Sequence, residues 1–242
     1  GEVSCGRMPY DFSRGTMFFL SPGQLVGHAV SAMEEAEGWI LFFDRSYLAH
    51  HPLHRKILDL PFFDYAVTEA LHLSAAEERS MEQIFDNIQT EYLYPIDRHS
   101  RDVVAANLEL CTTYADRYYH RQFLTRSYVE GNFLTVFDGV LKDRFGGDRL
   151  ESEGIPTIPE LAAELNMSAK YLSEKLRHQT GKTAQDYVHL RLLERAKVLL
   201  RDPELTVGEV AYRLGFRYPQ YFSRFFSKRT GRSPKVYRAE VS

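Results

Sequence analysis

Tyr221-Phe222-Ser223-Arg224-Phe225-Phe226-Ser227-Lys228-Arg229-Thr230-Gly231-Arg232-Ser233-Pro234 is the stretch that decides the fold, because the chain contains it twice. Tyr171-Leu172-Ser173, Thr180-Gly181-Lys182-Thr183 and Tyr187 align with Tyr221-Phe222-Ser223, Thr230-Gly231-Arg232-Ser233 and Tyr237 at a constant offset of 50 residues. Upstream the offset becomes 49, pairing Glu160-Leu161-Ala162 with Glu209-Val210-Ala211 and Leu165-Asn166-Met167 with Leu214-Gly215-Phe216. One supersecondary unit is therefore duplicated, with one extra turn residue in the second copy.

Each copy reads as a helix-turn-helix. In the first, Leu161, Ala162 and Leu165 form the inner face of a short helix, Asn166 suits a left-handed turn, and Ser168 caps a second helix anchored by Leu172 and Leu176. In the second, Thr206 is the cap, Val210, Ala211 and Leu214 the inner face, Gly215 the turn, and Phe222, Phe225 and Phe226 the anchors. Gly181 and Gly231 end the second helices. Between the copies, Thr183 to Leu200 predicts a helix bearing Val188, Leu192, Ala196 and Leu199 on one side and stopped by Asp202-Pro203. Its length of about 27 Å is near the roughly 34 Å between successive major-groove faces of B-DNA, so one chain can address two neighbouring grooves.

Charge separates this region from the rest. The 242 residues carry a net charge of −3, but residues 156–242 hold 16 Lys+Arg against 9 Asp+Glu, which leaves the remainder strongly acidic. A basic module behind an acidic one points to nucleic acid.

Residues from about Ile158 to Arg238 resemble the C-terminal DNA-binding domain of the AraC/XylS family of bacterial transcription regulators. The resemblance rests on Ala162-x-x-Leu165-x-Met167-Ser168-x-x-Tyr171-Leu172 in the first unit. In the second it rests on Val210-Ala211, Leu214-Gly215-Phe216, Tyr221 to Phe226, Thr230 to Pro234 and Tyr237-Arg238. It implies that the first recognition helix presents the positions held here by Lys170, Ser173 and Glu174 to base edges, and the second those of Pro219, Gln220 and Arg224. Pro219 has no side-chain donor and suits a helix start, which shifts readout toward Gln220, with Tyr218 offering apolar contact. Glu174 is acidic and is left out of the base-contacting set of Lys170, Ser173, Tyr218, Gln220 and Arg224. Lys175, Arg177, Arg217, Lys228, Arg229 and Arg232 are the expected backbone contacts.

The preceding region is less diagnostic. Thr16 to Leu20 and Trp39 to Phe43 read as strands around the Ser21-Pro22-Gly23 turn, too few to close a sheet. Gly15 to Gln24 resembles later strands of the cupin-like sensor barrel common in the family, whose earlier strands have no counterpart here. Part of the sensor is thus expected to be missing. From Ser74, a capping box with Glu77 opens a helix with Ala76, Ser80, Ile84, Ile88 and Tyr92 on one stripe, ended by Pro95. A second helix over 99–123 carries Val104, Leu108, Cys111 and Ala115. The two predict a helical hairpin whose stripes form core or pair two chains.

The expected fold is α+β: a partial cupin-like sensor over 1–73, a helical dimerisation segment over 74–125, a helical connection over 126–155, and an all-α domain over 156–242 with two helix-turn-helix units. Other chemistry is weakly marked. His50, His51 and His54 cluster without a Cys or a His-Glu-x-x-His pattern, and read as a solvated loop. Gly181-Lys182-Thr183 imitates a phosphate loop, but Leu176 occupies the required upstream glycine position. Cys111 reads as a buried inert thiol, and His28 and Trp39 as core rather than pocket lining. Cys5 and Cys111 are the only cysteines, which fits a reducing cytosol. The apolar runs are too short for a bilayer. The chain opens at Gly1 without an initiator Met or a charged-then-apolar leader, so a processed or truncated start without a secretory signal is expected.

These readings describe a cytoplasmic, non-enzymatic transcription regulator without a cofactor, partnered by double-stranded DNA, acting as a homodimer, and controlled through its N-terminal part by a small-molecule effector or partner. RNA polymerase is a partner the resemblance leaves open. Two alternatives stand beside it: a cupin-type metalloenzyme with a DNA-binding tail, which needs clustered metal ligands in the first 50 residues, where His28 stands alone, and an architectural DNA-bending protein without sequence preference.

Overall fold

The computed structural model describes residues 2–5, 8–11, 15–24, 37–129 and 133–241, with side chains described for 15–24, 37–123 and 133–241. His28, read from sequence as a core residue, lies outside the described residues. The chain divides into two compact units, Gly1–Arg126 and Ser127–Ser242.

In the first unit the strands form two separate antiparallel ribbons. β1 (Glu2–Cys5) pairs with β2 (Met8–Asp11), and β3 (Thr16–Met17) with β4 (Leu71–His72) in the register Thr16 opposite His72. A run of short 3-10 turns and one short helix, α1 (Leu53–Lys56), leads to α2 (Ala75–Leu93) and α3 (Ser100–Val129). The capping box opens α2: Ser74 N–H donates to Glu77 Oε2 at 2.8 Å and Glu77 N–H donates to Ser74 Oγ at 3.4 Å. Arg121 pairs with Glu77 at 2.9 Å and Asn87 Nδ2 donates to Asn107 Oδ1 at 3.4 Å, so α2 and α3 run antiparallel. Phe62 and Tyr65 pack on Tyr119 of α3, with ring centroids 5.6 and 5.2 Å away. Gln122 is buried; it accepts from His72 N–H at 2.8 Å and donates to Ala70 O at 3.1 Å, tying β4 to α3.

Four expectations for this unit change. The described strands make no barrel and do not bear out a cupin-like sensor. Trp39, Ile40, Leu41 and Phe42 form no strand and are exposed, because no strand among the described residues offers that run a ladder partner. Of the stretch Thr16 to Leu20 only Thr16–Met17 is paired. The hairpin forms where predicted, but its stripes are consumed within the unit: Met81, Ile84 and Ile88 on α2 are buried, as are Ala105, Leu108, Cys111 and Ala115 on α3, while Tyr92 is exposed. The stripes that were expected to pair two chains are thus already covered. Burial also pushes the Cys111 thiol up to about 12, which leaves it protonated and inert.

The second unit is all helix: α4 (Phe133–Phe145), α5 (Arg149–Glu153), α6 (Ile158–Glu164), α7 (Ala169–Thr180), α8 (Ala184–Leu199), α9 (Val207–Arg213), α10 (Pro219–Thr230) and α11 (Pro234–Val241). One continuous core runs through it, including Leu161, Leu172, Leu176, Val188, Leu192, Val210, Leu214, Phe222 and Phe226. Phe133, Phe137, Leu141, Phe145 and Leu150 lie in the same core. The segment read as a connection over 126–155 therefore contributes two helices to this unit. Four large apolar residues at intervals of four in α4 need an apolar partner surface, and the helix-turn-helix pair supplies it.

Candidate nucleic-acid interface

The second helix of each helix-turn-helix, α7 and α10, is set by local rules. In the first helix-turn-helix Thr157 caps α6, the turn passes through Asn166 at φ 53°, and Ser168 Oγ accepts from Tyr171 N–H at 3.1 Å to start α7. In the second, Thr206 caps α9, Gly215 turns at φ 79°, and Pro219 occupies the first turn of α10, where its missing N–H costs nothing. Gly181 and Gly231 adopt left-handed backbone at the ends of α7 and α10. Arg238 Nε donates to Leu200 O at 3.0 Å, so the closing Tyr-Arg pair caps α8.

Burying Phe222 and Phe226 turns the opposite face of α10 outward. Arg217, Tyr218, Gln220, Tyr221, Arg224 and Lys228 are all exposed, at spacings that place them along one side. Tyr218 and Tyr221 meet edge to face with centroids 5.7 Å apart. Sequence reasoning missed Tyr221, although it falls three residues after Tyr218 and three before Arg224 on that face. On α7, Leu172 and Leu176 face the core and Lys170 and Arg177 face outward. Among the described residues, Lys170, Arg177, Arg217, Arg224 and Lys228 carry no ion pair. Ser173 is half-buried, and its hydroxyl donates to Ala169 O at 2.7 Å, leaving it an acceptor.

Three residues expected to meet phosphates are engaged within the fold. Lys175 is 3% exposed, with Nζ 4.4 Å from the Phe133 ring centroid, so it faces the core rather than the solvent. Arg232 pairs with Glu240. Arg229 lies 4.5 Å over the Phe225 ring and donates from Nη2 to His189 Nδ1 at 2.7 Å. Burial, and then the neighbouring guanidinium, hold His189 below the ordinary histidine range. His189 meets Phe225 edge to face with centroids 5.4 Å apart, so Arg229, Phe225 and His189 form a cluster at the junction of α8 and α10.

In the N-terminal unit, His51 Nδ1 accepts from Leu53 N–H at 3.2 Å and His54 Nδ1 lies 3.3 Å from Arg45 O. Among the described residues no group of three or more His, Cys, Asp and Glu side chains is arranged to hold a metal ion. Among them, too, no helix is long and apolar enough to cross a membrane.

A helix-turn-helix domain model matches residues 161–240. The HTH-type transcriptional regulator YobQ of Bacillus subtilis is 38% identical over 82 residues, covering 34% of this chain and 34% of that protein. The HTH-type transcriptional activator RhaS of Escherichia coli is 36% identical over 75 residues, covering 31% of this chain and 27% of that protein. The chain thus spans about a third of the length of the curated relatives it matches. Among solved structures, the C-terminal domain of the response regulator yesN from Fusobacterium nucleatum is 29% identical, covering 44% of this chain and 98% of that one, with a TM-score of 0.39. The DNA-binding domain of AdpA in complex with a target DNA is 27% identical, covering 43% and 90%, with a TM-score of 0.36. Over residues 161–240 the chain thus carries a tandem helix-turn-helix domain similar to that of AraC-type transcription regulators such as YobQ and RhaS.

Proposed function

We propose that the protein is a sequence-specific DNA-binding regulator of transcription, with α7 and α10 entering the major groove. The observation that carries this reading is the outward face of α10, where Tyr218, Gln220, Tyr221 and Arg224 stand exposed between the cations Arg217 and Lys228. Gln220 and Arg224 carry donors suited to adenine and guanine edges, and the flanking cations suit phosphates. Lys170 and Ser173 play the base-reading part on α7, and Arg177 meets the backbone. Arg229 and Arg232 reach phosphates only by leaving Phe225 and Glu240.

The N-terminal unit, with its own aromatic core, is the seat of control by a small-molecule effector or a protein partner. A homodimer would deliver four recognition helices; with Ile88 and Leu108 buried, the exposed large apolar side chains on the described part of α2 and α3 are Tyr92, Leu93, Val103 and Leu110. Light scattering tests this, with Leu110→Glu expected to yield monomers and an unchanged wild-type mass contradicting it.

Selection from randomised duplexes tests the central reading. One enriched motif is expected, bound at least about a thousandfold more tightly than random duplex at equal salt. Equal affinity for both would favour an architectural role instead.

A further inference from the structure

The second unit contains a brace that touches both helix-turn-helix repeats and the helix between them. On α4, Asp138 accepts from Tyr187 Oη at 3.0 Å and from Arg191 Nε at 2.9 Å, with a second bond from Arg191 Nη2 to the other carboxylate oxygen. That bidentate pair fastens α4 to α8, the helix between the two repeats. Arg144 near the end of α4 pairs with Glu164 at the end of α6 and with Glu153 of α5. Phe133 at the start of α4 receives Lys175 of α7. α5 then lies against the turn of the second helix-turn-helix: a Cβ on Gly215 would stand 2.7 Å from Leu150 O and 3.0 Å from the Gly154 carbonyl carbon.

The brace thus holds α6 and α7 on one side, α8 in the middle, and the α9 turn on the other. A single helix such as α8 fixes the separation of two units along its own axis but leaves each able to pivot at its ends. A second connection, made through α4 and α5, removes that pivot. We propose that α4 and α5 set the distance and phase between the recognition helices α7 and α10, and so determine which separation of two DNA subsites the protein accepts. Asp138 and Arg144 are the positioning residues; neither is assigned to the DNA-facing surface. The inference rests on the reading that both recognition helices engage DNA.

The test uses the full chain and the motif it selects from randomised duplexes. Derivatives of that motif are made with the two subsites moved apart or together by one or two base pairs, alongside a duplex holding one subsite alone. For the wild type, a shift of one base pair is expected to weaken binding by at least about tenfold. Asp138→Asn and Arg144→Gln, each checked for native helix content and a cooperative melt, are expected to cut that penalty to within about threefold, with affinity for the single subsite unchanged. A purely structural role would lower all affinities together and leave the spacing profile intact, which would overturn the proposal. So would a wild type that selects a motif with one subsite. If both variants melt, Asp138→Glu, which keeps the charge and alters the reach, is read instead; an unaltered spacing preference there contradicts the proposal. A wild type that selects no motif sinks the DNA-binding reading itself.

Discussion

Gly215 and Leu150 stand so close that a methyl group on the glycine would lie 2.7 Å from the leucine carbonyl oxygen, in a backbone conformation with φ 79° that side chains rarely adopt. The turn of the second helix-turn-helix is therefore built against α5 as much as against its own helices. Gly215→Ala is expected to cost about 1 to 3 kcal/mol from the left-handed backbone alone, and more from the collision. Chemical denaturation measures it; a loss within error of zero would show that α5 is loosely held.

The core runs from Phe133 to Phe226 without a break, which sets the smallest piece that can fold. Removing a large buried side chain costs about 2 to 5 kcal/mol, against a total stability of about 5 to 15 kcal/mol. A fragment of 156–242 forfeits Phe133, Phe137, Leu141, Phe145 and Leu150 together, so it is expected to lack a cooperative thermal transition, whereas 127–242 melts cooperatively. Circular dichroism of the two fragments decides it, and a sharp melt for 156–242 would contradict the account.

Much of this was legible in the sequence, where a feature depends on near neighbours. Ser168, Thr206, Asn166, Gly215, Gly181 and Gly231 announce caps and turns whose partners lie within a few residues, and each adopts the expected role. Trp39 to Phe43 misleads because strand propensity is local while a strand requires a distant partner. Lys175 reads from sequence as a phosphate contact because its charge is visible and Phe133, 42 residues upstream, is not its neighbour in sequence. The stripe of α4 was present in the spacing of Phe133, Phe137, Leu141 and Phe145, but nothing nearby named the surface it covers.

The burial of Lys175 separates it from the outward cations. Lys175→Met is expected to leave the salt dependence of DNA affinity unchanged, while Lys228→Ala lowers the slope of log affinity against log salt by about one unit. Titrations at several salt concentrations check both. A reduced slope for Lys175→Met would show that the side chain leaves Phe133 to meet a phosphate.

His189 is expected to make the second unit sensitive to mild acid. Its folded value lies below 6.5, for burial and Arg229 both oppose the proton, with Asp186 acting weakly in the other direction. An unfolded chain takes up that proton more readily, so the stability is complete above pH 6.5 and declines as the pH falls from there toward the lower folded value. Urea midpoints at about pH 7.5 and about pH 5.5 are expected to differ more for the wild type than for His189→Gln. Equal differences would remove His189 from the explanation.

The most direct measurement of the central claim is a binding profile of wild type and Gln220→Ala over a library of all single-base variants of the selected site. Gln220 is exposed in the first turn of α10, where its amide can pair with adenine N6 and N7. The account predicts that Gln220→Ala loses about 1 to 3 kcal/mol on the best site and flattens the preference at one base pair, leaving the other positions as discriminating as before. A uniform loss across every variant, with the base preferences intact, would contradict the placing of α10 in the groove.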